Sequence, residues 1–487
     1  MKILIIQLAR LGDIYLSWPA IRALKRLQPS AEITLLTRDR FVAAADGLRP
    51  YVNEIVTLPV KDVLAPLVQD NMDVVESHTR LKNFVTELRG RGFDKVVNFS
   101  FSPASSYITH LMQLPVENVA GYSRTEDGFL AIPDDMSAYF YAQVGPGKSN
   151  RFHLAEIFGT LCGVDLIDED WSKPAISRFE TGIKGEFIAC HIGASEGHKT
   201  LSPEKWTSIF SQLKALRPQA QVALIGSEAE MPIADRILSS VSGLSLYSFV
   251  GKTSLHETLS IVDQAEILVG PDSAPMHMAS LTKTRCLNLS VGRVNFWETG
   301  PRASGSVVMR AAAETDLVSD RVARVIVTLF DKQRPELGLV QVQPGTPSYS
   351  GLFPKEAEFQ WKLVQAVYQG TPFPEPVSAT FWEAHTQLLE VNQFLIDQMT
   401  ALQNGASLQD KAALIDRGEE VIDAIGKLVP AWGAVLRWYQ TEKVRIPPGD
   451  TTKVLARTLE IQNLLHQVLL VYSDMKTVHA APESEAR

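Results

Sequence analysis

Residues 265–280 constrain the fold of this chain most strongly, because they indicate a buried strand that turns directly into a helix. The strand is apolar up to Gly270 and Pro271, and Asp272 or Ser273 is the expected N-cap of the helix. A helix N-terminus after a strand offers free backbone N–H groups and the positive end of the helix dipole, which favour a phosphate. The segment is also an ordinary junction of an α/β sheet, so on its own it leaves both interpretations open.

The same alternation of strands and helices runs through the first two thirds of the chain. It predicts two parallel sheets covered by helices on both faces, with a cleft between them and ligands at the carboxyl ends of the strands. The predicted strands are 3–8, 32–36, 54–58, 95–99, 186–191, 221–225, 266–270 and 284–289. The predicted helices are 18–28, 40–48, 80–91, 151–162, 203–216, 228–240, 254–264, 274–282 and 319–331.

The remainder of the chain has a different pattern. Residues 333–353 contain Pro and Gly without periodicity and are predicted to be a linker. Beyond it, apolar residues recur at helical spacing and predict an all-helical extension. Its helices could pack together, pack on the α/β part or form an oligomer interface, and the sequence leaves this choice open. The expected domains are therefore 1–178, 179–332 and 354–487.

Composition excludes several classes of protein. A formal net charge of −8 over 487 residues gives no electrostatic reason to expect a nucleic-acid partner. No stretch reaches the ~18 apolar residues of a membrane span, and the short N-terminal apolar run lacks a cleavage site. We therefore expect a cytoplasmic protein, with peripheral contact with the inner membrane left open. The three cysteines lack metal-ligand spacing and are expected to be buried thiols in a reducing compartment.

Five blocks of the sequence together resemble the heptosyltransferase family of bacterial glycosyltransferases, glycosyltransferase family 9. The first block is an apolar strand, a tight turn at Gly12 and Asp13, and a helix. The blocks follow the order of the family and cover roughly residues 1–330, whereas the rest of the chain shows no resemblance. The blocks are 1–25, 193–206, 224–230, 249–255 and 265–280.

The resemblance implies the GT-B fold and a reaction. It implies inverting, metal-independent transfer of a heptose from ADP-heptose to an acceptor hydroxyl, in assembly of the lipopolysaccharide core, without a cofactor. The N-terminal domain would bind the acceptor and the second domain the nucleotide sugar. Asp13 would be the general base that takes the hydroxyl proton, and Lys199 would neutralise the donor diphosphate. From the residues alone, Asp13 also suits a helix N-cap and Lys199 a solvated loop.

The resemblance also assigns a set of donor-binding residues. Asp272 would lie near the sugar hydroxyls, and the backbone of Ser273 and Ala274 would hold phosphate. The family commonly has Gly where this chain has Ala274, and Pro275 has no N–H, so one potential donor is missing. His277 either faces the ligand or is a core histidine. Further expected donor contacts are Gly193, Ala194, Ser195, Glu230, Gly251 and Lys252.

Within this set, Glu230 would bind the ribose, although a glutamate in the first turn of a helix is an equal alternative. Gly251 and Lys252 would lie beside the adenine. Gly12, Arg10 and Arg293 are candidates for contact with an anionic acceptor. No Asp-x-Asp metal motif stands at a strand end, so no metal ligands are assigned.

Two other functions remain alternatives at this stage. The first is a glycosyltransferase with the same chemistry that acts on a protein or another glycan. The helical extension is unusual for the family and could recruit such an acceptor. The second is a binding or scaffold protein with the GT-B fold and no turnover. The expected partners are a nucleotide sugar and a glycolipid or protein acceptor, with a homo-oligomer through the extension left open.

Overall fold

The computed structural model describes residues 1–194, 196–333, 339–342, 349–376 and 378–480. The strands are β1 (Lys2–Gln7), β2 (Glu32–Arg38), β3 (Glu54–Leu58), β4 (Lys95–Asn98), β5 (Val119–Ala120), β6 (Ser123–Arg124), β7 (Leu130–Ala131), β8 (Ile188–His191), β9 (Gln221–Ile225), β10 (Ser245–Ser248), β11 (Ile267–Pro271), β12 (Arg285–Val291), β13 (Val307–Ala311), β14 (Val340–Val342) and β15 (Tyr349–Ser350).

The helices, named in the same way, extend from the N-terminal half to the end of the described chain. They are α1 (Leu11–Leu27), α2 (Val60–Leu64), α3 (Val74–Gly90), α4 (Pro103–Leu111), α5 (Asp135–Gln143), α6 (Leu154–Cys162), α7 (Pro203–Leu216), α8 (Met231–Ser240), α9 (Leu255–Gln264), α10 (Ala274–Thr282), α11 (Phe296–Thr299), α12 (Ser319–Phe330), α13 (Lys355–Gln369), α14 (Ala379–Gln403), α15 (Leu408–Leu428), α16 (Gly433–Val444) and α17 (Thr451–Ala480). No helix of the described residues has an apolar stretch long enough to cross a bilayer.

The chain forms two compact units. The first unit comprises Met1–Val119 and Phe152–Leu352, and the second comprises Ala120–Arg151 and Phe353–Arg487. Residues 120–151 were predicted to belong to the N-terminal domain, but they group with the helical extension. Their contacts are with distant helices, as α5 packs against α16, and local sequence patterns do not report such contacts.

The first sheet of the first unit has the strand order β3-β2-β1-β4-β5. Its centre is β1, which pairs in parallel with both β2 and β4. Ile3 and Ile6 of this strand have no exposed surface, as expected for a strand covered on both faces. Helix α1 begins at Leu11, so Gly12 and Asp13 lie in its first turn and not in the predicted tight turn before it.

The second sheet has the order β10-β9-β8-β11-β12-β13-β14-β15. The strands from β10 to β13 are parallel, and β8 and β11 lie side by side at the centre. The last two strands are antiparallel and fall within residues 333–353. The linker interpretation therefore does not hold for β14 and β15, because their backbone groups pair with the sheet.

Most predicted elements of this unit are present. Each predicted strand occurs with its ends within two residues of the prediction, and the helices at 203–216 and 274–282 match α7 and α10. Residues 40–48 form a 3-10 helix (Asp39–Leu48) instead of an α-helix. The three cysteines are buried and free, as predicted.

The second unit contains the helices predicted from apolar stripes, α14, α15 and α17, together with α5, α13 and α16, which the sequence did not indicate. Its core is aromatic. The rings of Phe381 and Trp432 stack with centroids 4.4 Å apart, and Tyr472 packs against both. The extension is therefore a packed unit with its own core.

Candidate active site

The N-termini of α1 and α10 meet at the centre of the first unit. Helix α1 follows β1, α10 follows β11, and the two helices pack against each other. Gly12 makes the approach possible: a Cβ at this position would lie 3.0 Å from Cδ2 of His277, 3.1 Å from Nε2 and 3.8 Å from Cα of Ala274. A larger residue would push the helices apart.

Asp13 is the next residue of α1 and is partly buried. Its carboxylate accepts a hydrogen bond from the backbone N–H of Arg10 over 3.0 Å. Burial raises the pKa of the Asp13 carboxyl above its ordinary value, against the opposing effects of Arg10 and Lys199. A carboxyl with a raised pKa is a stronger proton acceptor than an ordinary aspartate once it is ionised.

Gln7, the last residue of β1, supports the turn that carries Asp13. Its side-chain amide donates to the carbonyl oxygen of Asp13 over 3.3 Å, and its Oε1 accepts from the N–H of Ala9 over 3.2 Å. Gln7 is fully buried, so these two bonds replace the water that its amide loses on folding. They fix the position of the Asp13 backbone relative to the sheet.

Lys199 lies between three carboxylates. Its ammonium nitrogen is 3.3 Å from Oε2 of Glu196 and 3.7 Å from Oδ2 of Asp272, and its charge also acts on Asp13. Glu196 in turn pairs with Arg10, Nη1 to Oε1, over 2.5 Å. One cation thus connects groups from both sheets of the first unit, which the sequence alone did not predict.

Asp272 follows β11 and is almost completely buried, with 7% of its side chain exposed. Its Oδ1 accepts a hydrogen bond from the Thr299 hydroxyl over 2.9 Å. Burial raises the pKa of Asp272 to about 6, Lys199 and Thr299 lower it, and Asp13 raises it. The charge of Asp13 therefore makes Asp272 harder to ionise, and Lys199 counteracts this repulsion.

The N-terminus of α10 has no side-chain cap. Ser273 occupies the N-cap position by its backbone, as predicted, but its side chain makes no capping hydrogen bond. Pro275 stands at the second helical position and has no N–H. The positive end of this helix is therefore open toward Asp272 and the site, an arrangement that suits an anion.

His277 is both buried and next to the site. Burial, with the Lys199 charge, lowers the pKa of His277 to about 3, so the imidazole is neutral. Its Nδ1 has no hydrogen-bond partner within the described part of the chain. The ring lies against Gly12. The structure thus places His277 at the contact between α1 and α10.

A second group of candidates lies at the carboxyl ends of β8, β9 and β10. A Cβ on Gly193 would lie 2.6 Å from Oε1 of Glu230 and closer still to its Cγ. Glu230 Oε2 accepts from both the N–H and the hydroxyl of Ser227 over 2.6 Å. Gly251 joins this group because its N–H donates to the carbonyl of Gly226 over 3.0 Å. Glu230 thus lies in a glycine-lined corner.

Some candidates are not joined to either group. The Lys252 ammonium donates to the carbonyl of Ser248 over 3.1 Å and is exposed. Arg293 is exposed in the loop after β12. Ala194 directly follows Gly193, and Ser195 lies outside the described residues.

The structure adds residues that sequence reasoning missed, namely Gln7, His191, Glu196 and Thr299. Three of them stand inside or beside motifs that the sequence analysis used, at the ends of β1 and β8 and in the loop that carries Lys199. For Gln7 and His191, a polar side chain at the carboxyl end of a strand is the signal that could have found them. Thr299 is 27 residues beyond Asp272, and nothing local connects the two.

Comparison with known proteins gives one family. Residues 83–311 match glycosyltransferase family 9 (heptosyltransferase). Lipopolysaccharide heptosyltransferase 3 of Escherichia coli (strain K12) is 21% identical over 299 residues, which are 57% of this chain and 79% of that protein. Lipopolysaccharide heptosyltransferase 1 of Campylobacter coli is 22% identical over 292 residues, 57% of this chain and 80% of that protein.

Among solved structures, a glycosyl transferase family 9 protein from Veillonella parvula DSM 2008 has the same fold. Its TM-score is 0.52 at 16% sequence identity, and the match covers 68% of this chain and 97% of that chain. The two parallel sheets and this likeness show the GT-B fold, as predicted. Part of this chain, residues 83–311, is similar to glycosyltransferase family 9, the heptosyltransferases.

Replacing Lys199 tests the electrostatics of the site without any ligand. In Lys199→Met, we expect the pKa of Asp272 to rise above its value of about 6, because the positive charge that favours the carboxylate is lost. A carboxyl-detected NMR titration measures it. Lys252→Met is the matched control, since that ammonium bonds to the carbonyl of Ser248 at the end of β10. An Asp272 titration that is unchanged in Lys199→Met would show that the two groups do not interact.

Proposed function

We propose that this chain transfers a heptose from ADP-heptose to an acceptor hydroxyl, with inversion at the anomeric carbon and without a metal ion. The match of residues 83–311 to the family model and the names of the two curated relatives support the sugar and the assembly of the lipopolysaccharide core. One structural observation carries the proposal. Lys199 contacts Asp272 and acts on Asp13, so a base and a diphosphate-binding cation share one site.

Asp13 acts as the general base in this proposal. The acceptor oxygen attacks the anomeric carbon while its proton passes to the Asp13 carboxylate, and the bond from the sugar to the diphosphate oxygen breaks with its electron pair leaving on ADP. Attack from the face opposite the leaving group inverts the anomeric centre. The raised pKa of Asp13 and its place beside the open end of α10 support this role.

Lys199 and the first turn of α10 stabilise the leaving diphosphate. The backbone of Ser273 and Ala274 and the Lys199 ammonium supply positive potential where negative charge develops, which replaces a divalent metal ion. Before the donor binds, Lys199 is paired with Glu196 and Asp272. A diphosphate competes for this ammonium. As Lys199 turns to it, Asp13 loses a stabilising charge and becomes more basic.

The corner at Gly193 and Glu230 is the proposed nucleotide site. The Oε1 atom of Glu230 faces Gly193, and we assign the ribose hydroxyls to this carboxylate. Gly251 and Lys252 are assigned to the adenine, and Ala194 and Ser195 to the same loop. Asp272 is assigned to the donor-sugar hydroxyls, with His277 behind it. For the acceptor we assign Gly12 and Arg10, and Arg293 stays a more distant candidate.

Asp13→Ala is the direct test of the proposed base. We expect transfer to fall by about 10³-fold, within the range lost when general-base catalysis is removed. ADP binding should stay within about threefold of wild type because the diphosphate contacts are on α10 and Lys199. Release of ADP with a lipopolysaccharide-core acceptor measures transfer, and calorimetry measures binding. An Asp13→Ala protein that transfers at the wild-type rate would remove this assignment.

Two alanine substitutions in one loop test the nucleotide site. Gly193→Ala places a methyl group against Glu230, and we expect ADP affinity to fall roughly tenfold or more through the lost charged hydrogen bonds. Gly197→Ala is the matched control because its methyl group meets nothing within 4 Å. Calorimetry with ADP compares them. Equal affinity in both variants would argue against ribose binding at Glu230.

A further inference from the structure

His191 makes an unassigned contact with the turn before α10. It is the last residue of β8, buried with 9% of its surface exposed, and its Nδ1 lies 2.9 Å from the Ser273 hydroxyl oxygen. The same hydroxyl lies 3.1 Å from the carbonyl oxygen of Pro271. The Ser273 side chain is thus held back toward the sheet by two partners.

This contact has a consequence for the helix. A serine at an N-cap normally turns its hydroxyl to accept from an N–H of the first turn, and that bond fills part of the positive end. Ser273 has the N-cap backbone but does not cap. Pro275 offers no N–H, and the Met276 N–H donates to the backbone carbonyl of Ser273 over 2.9 Å. A released Ser273 hydroxyl would accept from the Met276 N–H as a second partner, and so it would compete with an anion for this amide.

Gly270 creates the space for His191. In the parallel pair of β8 and β11, a Cβ on Gly270 would lie 2.7 Å from the carbonyl oxygen of His191 and 3.1 Å from its Cβ. Only glycine allows the two strands to lie this close at His191. The turn at Gly270 and Pro271, already notable in the sequence, therefore also places the histidine.

The hydrogen bonds form one consistent chain. Burial lowers the pKa of His191 to about 4, so the ring is neutral and carries one N–H. The Ser273 hydroxyl has one proton, which it donates to Pro271. Nδ1 of His191 then carries the ring proton and donates to Ser273, and the hydroxyl has no further proton to give.

We propose that His191 is a positioning residue: by holding the Ser273 hydroxyl against the sheet, it keeps the first turn of α10 uncapped for the donor diphosphate. This inference rests on the proposed function, and it deepens the account of the diphosphate subsite. His191 is assigned no contact with the reacting atoms or the phosphate. It acts through one serine.

A double-variant experiment with ADP as the probe tests this role. In His191→Leu the Ser273 hydroxyl is released to cap α10, and we expect the Kd for ADP to rise about tenfold, the scale of one N-cap bond. Ser273→Ala alone keeps the backbone N–H assigned to the diphosphate and is the reference for the double variant. The double variant His191→Leu with Ser273→Ala should recover affinity to within about threefold, since the competing hydroxyl is gone.

A merely structural role predicts a different pattern, with the double variant at least as weak as His191→Leu. That result, or wild-type ADP affinity in His191→Leu, would overturn the inference while leaving the proposed function intact. A wild-type protein that does not bind ADP would instead overturn the proposed function and this inference with it. If His191→Leu does not fold, His191→Gln repeats the comparison. The glutamine amide extends to the position of Nε2 and so does not replace Nδ1.

Discussion

The close approach of two helix N-termini is the constraint on which the site depends. Gly12 at the start of α1 has no side chain, and so His277 and Ala274 of α10 lie directly against it. Asp13 is the next residue, and Lys199 reaches from the second sheet to act on both Asp13 and Asp272. In the first sheet α1 begins after β1, and in the second sheet α10 begins after β11. Both helix N-termini lie at the site, so the backbone itself concentrates positive potential there.

Burial and one lysine together set the ionisation of the two aspartates in the site. Burial raises the pKa of both aspartates, and one lysine acts against this effect at each of them. The two histidines beside them are neutral because burial lowers their pKa, and therefore they add no competing cation. In the proposed mechanism, an incoming diphosphate meets an uncapped helix and a lysine that can change partners, so diphosphate binding and the basicity of Asp13 would be coupled.

Local patterns predicted the elements well and the assembly only partly. The strand and helix at 265–280 were predictable because an apolar run, a Gly-Pro turn and a cap residue stand together. The resemblance to the family assigned Asp13, Lys199 and Asp272 to one site, and the structure brings these three residues together. Thr299 could not be predicted because its partner is 27 residues away, and neither could the membership of 120–151 in the second unit. Both depend on long-range packing.

A crystal structure with ADP bound tests the central claim most directly. The account predicts a diphosphate within hydrogen-bond distance of the Lys199 ammonium and the N–H of Ala274, with Lys199 moved away from Asp272. A nucleotide bound away from α10, or a diphosphate with Lys199 still paired to Asp272, would contradict it.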